Sequence, residues 1–202
     1  MRTFAILLAA AVQFGDLDAH DGWATQATRD GVTLEWRAVA GSKFHEYRSF
    51  VDVAIDPARA VTEIWAALRG GDMDSLKHRD LLRDTPDELV IYDQIRTPIV
   101  SDRDYTITMR RISNGARTEF RCETTNEKGP PPARGYVRIP RISAGWQVEP
   151  NGKGGTRLGY FAFSEPGGSV PAFLVRGAQA DRSLADVVRM KQRLERIAAQ
   201  RR

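Results

Sequence analysis

A long amphipathic helix is predicted at the end of this chain, after a series of strands. Pro171 opens this helix, which continues to about Ala199. Its apolar residues form one stripe: Phe173, Leu174, Leu184, Val187, Val188, Leu194 and Ile197. A helix with an apolar stripe must bury that stripe against another element of the fold. The preceding strands are the partner that the sequence offers, so the sheet must be shaped to receive the helix.

Alternation of apolar and polar residues predicts those strands. Val32, Leu34 and Trp36, for example, alternate with polar neighbours. Further strands are predicted around Val51, Val53 and Ile55, and at Leu76–Leu82, Glu88–Arg96, Asp102–Ile112, Arg117–Thr124, Tyr136–Ile142, Ala144–Val148 and Thr156–Phe163. One helix interrupts them, opened by Asp56-Pro57 and ended by Gly70-Gly71. Strands in series with grouped helices indicate an α+β fold, with a curved antiparallel sheet around the last helix.

The first residues differ in character from the rest of the chain. Arg2 precedes an apolar run from Phe4 to Val12, which contains Ala9, Ala10 and Ala11. A short basic start, an apolar run and small residues are typical of a secretory signal peptide, and the run is too short to span a bilayer. We expect residues 1–19 to be a signal peptide cleaved after Ala11 or Ala19, residues 20–202 to form one domain, and the protein to be exported, to the periplasm of a bacterium. The alternative is an uncleaved helix in a cytoplasmic protein.

Composition narrows the classes of function. The chain has 30 Lys and Arg against 26 Asp and Glu, a net charge of +4 that permits transient contact with an anionic membrane. The basic residues of the last helix are interpreted as a solvated face, and no nucleic-acid partner is predicted. Cys122 is the single cysteine, so no internal disulfide is expected. No spacing of His, Cys or acidic residues indicates a metal site, and no cofactor is predicted.

Several stretches occur in a characteristic order from about Trp23 to Glu195. They are Asp30-Gly31-Val32 with Trp36-Arg37, His45-Glu46-Tyr47-Arg48, Thr97-Pro98-Ile99-Val100-Ser101-Asp102-Arg103-Asp104-Tyr105, Ala144-Gly145-Trp146 with Pro150, and Gly167-Gly168 before Val170-Pro171. In this series the chain resembles the START (steroidogenic acute regulatory protein-related lipid transfer) family, particularly its exported bacterial members. Residues 70–75 depart from the family pattern, which usually has a tryptophan there. The resemblance implies a helix-grip fold with an internal hydrophobic tunnel for one lipid or sterol-like molecule.

Strand parity predicts which residues face the tunnel. Tyr105, Ile107 and Met109 share an apolar face, and Arg103 has the same parity. Asp80 is predicted to face inward from its own strand. START domains similarly keep an acid and an arginine in the cavity, so Asp80 and Arg103 are predicted to pair there, either as a handle for a ligand's polar group or as a structural salt bridge. The predicted ligand contacts are Asp80, Leu82, Tyr92, Arg103, Tyr105, Ile107, Met109, Phe120, Trp146, Tyr160, Phe173 and Leu174.

Two functions remain open at this level. A lipid carrier or sensor needs a lid, and we expect the proline-rich loop Glu127–Gly135 and the last helix to provide it. An enzyme of the wider helix-grip superfamily, a cyclase or hydrolase, needs an acid–base group in the cavity. The candidates for that group are Asp80, Arg103 and His78, and the first two are expected to neutralise each other. We therefore favour lipid binding and transport over catalysis.

Overall fold

The computed structural model describes residues 14, 16, 17, 22–97 and 100–200. Both predicted cleavage positions, Ala11 and Ala19, lie outside the described residues, as do Pro98 and Ile99. The strands are β1 (Ala24–Arg29), β2 (Val32–Ala38), β3 (His45–Val53), β4 (Leu76–Asp84), β5 (Glu88–Ile95), β6 (Arg103–Asn114), β7 (Arg117–Thr124), β8 (Val137–Arg138), β9 (Arg141–Pro150) and β10 (Thr156–Glu165). The helices are α1 (Pro57–Gly70) and α2 (Ala172–Ala199), and a short 3₁₀ turn spans Asn126–Lys128.

Within the described residues, the strands form one ten-stranded sheet. Its order is β1-β2-β3-β10-β9-β7-β6-β5-β4, with antiparallel pairing along this path. The two-residue β8 pairs in parallel with the start of β6. This arrangement confirms the predicted antiparallel α+β fold.

The segment predicted as two strands between residues 136 and 148 is organised differently. It forms the short β8 and then β9, which is continuous through Ser143. The reason is the partner strand: β9 pairs with β10 along its whole length, from Arg141 opposite Glu165 to Pro150 opposite Thr156. A ladder of this length maintains the strand where the local sequence suggests a break.

Helix α1 begins and ends where its capping residues predict. The carboxylate of Asp56 accepts a hydrogen bond from the Arg59 backbone N–H at 3.0 Å, which satisfies one of the free donors of the first turn. Gly71 adopts φ 73° in the left-handed region and donates its N–H to the carbonyl of Ala67. The buried side of the helix carries Trp65, whose ring stacks on Phe120 with 5.5 Å between the ring centroids. The helix therefore packs on the sheet through an aromatic contact with β7.

Helix α2 packs over the same face of the sheet and contacts β2, β3, β10 and α1. Its buried residues are Ala180, Ser183, Leu184, Val187, Val188, Met190 and Leu194. The predicted helix and most of its apolar stripe are confirmed, but Phe173 and Leu174 in its first turn are 73% and 49% exposed. None of the helices in the described part of the chain is both long and apolar enough to cross a membrane.

The sheet has two apolar faces, which we call inner and outer. The inner face packs against α1 and α2 and forms the main core, with Leu89, Ile91 and Leu158 fully buried. The outer face carries a second, smaller core of Leu17, Phe44, Phe50, Phe161 and Phe163. Because side chains alternate along a strand, β3 and β10 contribute residues to both cores.

Candidate ligand cavity

A cavity of about 100 Å³ lies between α2, the C-terminal end of α1 and the inner face of the sheet. Its apolar lining includes Met109 of β6, Trp146 of β9 and Tyr160 of β10, and the two rings approach to 4.6 Å between centroids. The complete lining is Ala67, Leu68, Gly71, Asp72, Met73, Arg79, Met109, Trp146, Tyr160, Asp186, Arg189, Met190 and Arg193. Methionines and aromatic rings suit a ligand of irregular apolar shape, since thioethers adapt to gaps.

A buried ion pair borders this cavity, but its members differ from the predicted ones. Arg79 of β4 and Asp93 of β5 lie opposite each other in the sheet. The Arg79 Nε donates to Asp93 Oδ1 at 2.7 Å and its Nη2 donates to Oδ2 at 2.6 Å. The Tyr105 hydroxyl donates to the same Oδ2 at 3.1 Å. The Asp93 side chain is fully buried and that of Arg79 is 12% exposed, so both charges are removed from bulk water.

The pKa values of Arg79 and Tyr105 are both raised, which keeps Arg79 charged and Tyr105 neutral. Burial alone would lower the pKa of Arg79, but the hydrogen bonds and charge of Asp93 outweigh it and the pKa is raised. Burial, reinforced by the Asp93 carboxylate, raises the pKa of Tyr105 well above its usual value. Arg79 also donates from Nη1 to the Leu68 carbonyl at 2.7 Å, which ties α1 to the pair. The cluster therefore presents Arg79 to a cavity whose wall combines apolar residues with the charged residues Asp72, Asp186, Arg189 and Arg193.

The predicted pairing of Asp80 with Arg103 is wrong. Asp80 is exposed and contacts His78 on its own strand, with 3.0 Å between Nε2 and Oδ2. The reason is an irregularity in β4 between Leu76 and His78, where the register against β5 shifts. This shift reverses the face on which the following side chains lie, so Arg79 rather than Asp80 faces inward. A second shift, between Leu81 and Arg83, lies beyond both residues.

Arg103 is buried but has a different function in the structure. Its Nε donates to the Pro166 carbonyl at 3.2 Å and its Nη2 to the Gly167 carbonyl at 3.5 Å. A further bond from Nη1 to the Ser101 carbonyl joins the β5–β6 connection to the turn before α2. Burial lowers the pKa of this guanidinium. Arg103 therefore holds the turn that precedes α2 against the connection between β5 and β6.

The other predicted contacts fall into four groups. Met109, Trp146 and Tyr160 line the cavity, and Tyr105, Ile107 and Phe120 belong to the surrounding core. Tyr92 lies on the outer face, where its hydroxyl donates to Asp104 at 3.1 Å. Leu82, Phe173 and Leu174 are exposed. Leu82 lies at the second irregularity of β4, and Tyr92 has the parity opposite to Asp93, so neither faces the cavity. Ligand contact by the residues of the first group stays a prediction.

Three arginines of α2, two of which belong to the basic residues interpreted above as a solvated face, instead bind the loop beside the cavity. Arg182 Nη1 donates to Ser75 Oγ at 2.8 Å, Arg189 Nη2 to Asp74 Oδ2 at 2.6 Å, and Arg193 Nη1 to Asp72 Oδ2 at 3.2 Å. Spacings of seven and four residues place all three on one side of the helix. We call these arginines the clamp, because they hold the loop of residues 71–75 against α2.

Asp186 lies between the clamp and the cavity. Burial raises the pKa of its carboxyl, and the charges of Arg182 and Arg189 partly offset this effect. The pKa of the Tyr160 hydroxyl is also raised, by burial and by the nearby Asp186, so this hydroxyl stays neutral. Of the acid–base candidates named for an enzyme, His78 and Asp80 are both about half exposed on β4 and line no part of this cavity.

The proline-rich loop is not a lid for this cavity. Lys128 donates from Nζ to Thr108 at 3.2 Å, and the Ala133 N–H donates to Asp104 Oδ2 at 2.8 Å. Arg138 adds two bonds to the same carboxylate, at 2.8 and 3.0 Å. Thr108 and Asp104 project from the outer face of β6, opposite in parity to Tyr105. The predicted lid function of Glu127–Gly135 is therefore wrong, because this loop is fastened to the side of the sheet away from α2.

Asp104 is the anchor of that loop. Burial alone would raise the pKa of its carboxyl, but the hydrogen bonds from Arg138 and from the Ala133 N–H outweigh burial and lower it.

The signal for Asp93 as a buried, inward-facing residue was present in the sequence. Asp93 has the same parity as Leu89 and Ile91, so an alternation argument extended along β5 places one carboxylate among apolar residues.

Comparisons with known proteins bear on the fold that forms this cavity. No family model matches the chain. An uncharacterised protein of Pseudomonas aeruginosa is 28% identical over 183 residues, which cover 88% of this chain and 90% of that protein. Phosphatidylcholine transfer protein of Mus musculus is 24% identical over 168 residues, 77% of this chain and 76% of its own length.

Solved structures give the clearest comparison. The STAR-related lipid transfer protein from Xanthomonas axonopodis superposes with a TM-score of 0.76 at 24% identity, covering 86% of this chain and 99% of that one. Human StAR-related lipid transfer protein 5 superposes with a TM-score of 0.75 at 17% identity, covering 90% of each chain. The order of strands, the position of α2 and these superpositions together show that the chain has the helix-grip fold of START domains.

Proposed function

We propose that this protein binds one lipid, or another hydrophobic small molecule, between α2 and the inner face of its sheet, and carries or senses that molecule. The names of the comparable bacterial and mouse proteins, both lipid transfer proteins, support this function. The observation that carries it is a cavity on the inner face whose wall contains Met109, Trp146 and Arg79, the last a member of the buried Arg79–Asp93–Tyr105 cluster.

The cluster favours a particular kind of ligand. Arg79 has five N–H donors, and its bonds to Asp93 and Leu68 among the described residues use three nitrogen atoms but not every hydrogen. Its charge is already balanced by Asp93, so a ligand with a net charge would bring an uncompensated charge into a buried site. The best match is a neutral or zwitterionic lipid whose hydroxyl, ester carbonyl or phosphate oxygen accepts a hydrogen bond from Arg79.

Entry of such a ligand requires the cavity to enlarge. Its volume of about 100 Å³ is below the roughly 300–1,000 Å³ of small-molecule sites. The clamp joins α2 to the loop of residues 71–75, and these two elements must separate for the cavity to enlarge. Arg189 and Asp74 are 31% and 89% exposed, so their ion pair contributes little stability and breaks readily in the presence of competing ions. We place the door of the cavity at this contact.

A membrane surface would accommodate the first turn of α2. Phe173 and Leu174 are both exposed at this end of the helix. Arg176, one turn further on, donates from Nε to the backbone carbonyl of Lys43 at 3.0 Å and adds a guanidinium to this end of the helix. Apolar residues next to basic ones suit transient contact with an anionic bilayer, to which each cation contributes about 1 kcal/mol. A location in the cell envelope is the second part of the proposal, and it rests on the character of residues 1–19 alone.

Transfer of a fluorescent phosphatidylcholine between donor and acceptor vesicles tests the function. We expect transfer that rises with protein concentration and with the anionic lipid content of the acceptor. Replacing Phe173 and Leu174 by aspartate should reduce the rate about tenfold while leaving binding in detergent-free solution intact. Leu82→Asp is the control, since Leu82 is 45% exposed, close to the 49% of Leu174, but lies on β4. A protein that neither binds nor moves the probe would contradict the proposal.

A further inference from the structure

Two residues that precede β1 are packed on the outer face of the sheet. Leu17 is 1% exposed and lies in the outer core with Phe50 and Phe161. The ring of Phe14 lies 5.0 Å from that of Phe161, and the Arg121 guanidinium lies 5.1 Å from the centroid of Phe14. Phe14 and Leu17 both lie within residues 1–19, which the sequence predicts to be a signal peptide and therefore absent from the mature domain.

Glycines in the sheet provide the space for this packing. Gly159, in the middle of β10, faces outward, and a Cβ there would lie 2.8 Å from Cδ2 and 2.9 Å from Cδ1 of Leu17. Gly145, in the neighbouring β9, also faces this segment: a Cβ there would lie 2.5 Å from Cζ of Phe14, although the Phe120 backbone oxygen would be closer, at 2.0 Å. Gly159 lies outside the left-handed region, so its backbone does not require glycine. Glycine inside a strand weakens it and often marks the close approach of another segment, which here is the segment containing Leu17.

We propose that the segment carrying Phe14, Asp16 and Leu17, which we call the strap, belongs to the mature folded domain, and that any processing of the N-terminal segment cuts before Phe14. Of the two positions predicted from the sequence, Ala11 leaves the strap attached and Ala19 removes it. Loss of the strap would expose Phe50, Phe161 and the adjoining aromatic surface of the outer face. The packing of the outer core therefore favours cleavage after Ala11 over cleavage after Ala19. This inference does not depend on the proposed lipid function.

A double-mutant cycle in the full chain tests the contact between Leu17 and Gly159. Gly159→Ala should lower the Tm by about 3–8 °C, because the added methyl group overlaps Leu17. Leu17→Ala should lower it by about 5–15 °C, as truncation of a buried leucine does. In the Leu17→Ala background, Gly159→Ala should have no cost, since the obstructing side chain is gone. Leu82→Ala, at an exposed leucine, is the control and should change the Tm by about 1 °C or less.

Two results would overturn the proposal. The first is an equal cost of Gly159→Ala in both backgrounds, which would mean that Leu17 does not pack over β10. The second comes from N-terminal sequencing of the protein produced in its own host: a first residue beyond Leu17 excludes the strap from the mature domain. A first residue at or before Phe14, with non-additive substitutions, is the expected outcome.

Discussion

Replacing Asp93 by alanine would leave the Arg79 guanidinium buried without its counter-charge. Arg79 is 12% exposed and Asp93 is fully buried, so water cannot replace the lost carboxylate without disturbing the fold. Removing one member of a buried pair costs about 3–5 kcal/mol. For a chain of this size, 1 kcal/mol corresponds to about 2–4 °C, so we expect the Tm to fall by about 6–20 °C.

The assay is reversible unfolding in urea, monitored by tryptophan fluorescence and circular dichroism. Asp80→Ala is the matched control, since Asp80 lies beside Arg79 in the chain and forms an exposed pair with His78, for which we expect a loss below about 1 kcal/mol. The double variant Arg79→Met with Asp93→Leu should recover most of the lost stability, because two apolar side chains then pack without a charge.

The double variant also separates a ligand-binding pair from a purely structural one. With the polar cluster removed, we expect the protein to retain apolar ligands but to lose its preference for lipids with a hydroxyl or zwitterionic head group. A loss below about 1 kcal/mol in Asp93→Ala would refute the burial argument. Recovered stability with an unchanged ligand profile would refute the function of the pair as a polar handle.

Three further predictions concern other parts of the molecule. Trp65→Ala should lower the free energy of unfolding in urea by about 3–5 kcal/mol, since this side chain is 6% exposed and stacks on Phe120. A change below about 0.5 kcal/mol would mean that Trp65 lies on the surface. Asp72→Asn combined with Asp74→Asn should accelerate lipid release about three- to tenfold, because it removes the acidic partners of the clamp. Asp52→Asn breaks an ion pair on the outer face and should leave the release rate unchanged. Equal release rates in wild type and both variants would show that the ligand leaves by another route. Asp104 has a lowered pKa in the folded state, so its contribution to stability is present above its unfolded pKa of about 3.9 and is lost as the pH falls through the lower folded value. The difference in unfolding free energy between wild type and Asp104→Ala should be about 3–5 kcal/mol at neutral pH and should shrink below about pH 4. A difference that does not change with pH would contradict this prediction.

The elements that the sequence predicted correctly are those with local causes. Helix α1 is bounded by Asp56 and Gly71, whose capping bonds involve residues within four positions along the chain. Helix α2 follows from its apolar stripe, and β6 follows from the alternation of Tyr105, Ile107 and Met109 with polar residues. Each of these signals is contained within one segment, so it can be interpreted without knowledge of the partner element.

The features that could not be predicted depend on distant partners. The irregular register of β4 arises only when this strand pairs with β5, and it decides that Arg79, not Asp80, faces the cavity. The proline content of residues 127–135 predicts an extended loop, but its position on the outer face depends on Asp104 and Thr108, some twenty to thirty residues earlier. The arginines of the clamp look like a solvated helix face until the loop of residues 71–75 is placed beside them.

Native mass spectrometry of the protein purified from cells, without detergent and after brief exposure to vesicles, tests the central claim most directly. The account predicts a species with one intact lipid per chain, of neutral or zwitterionic type, and a shift to apolar lipids in the double variant of Arg79 and Asp93. A spectrum that contains only the ligand-free chain, under conditions in which the protein is folded by circular dichroism, would contradict it.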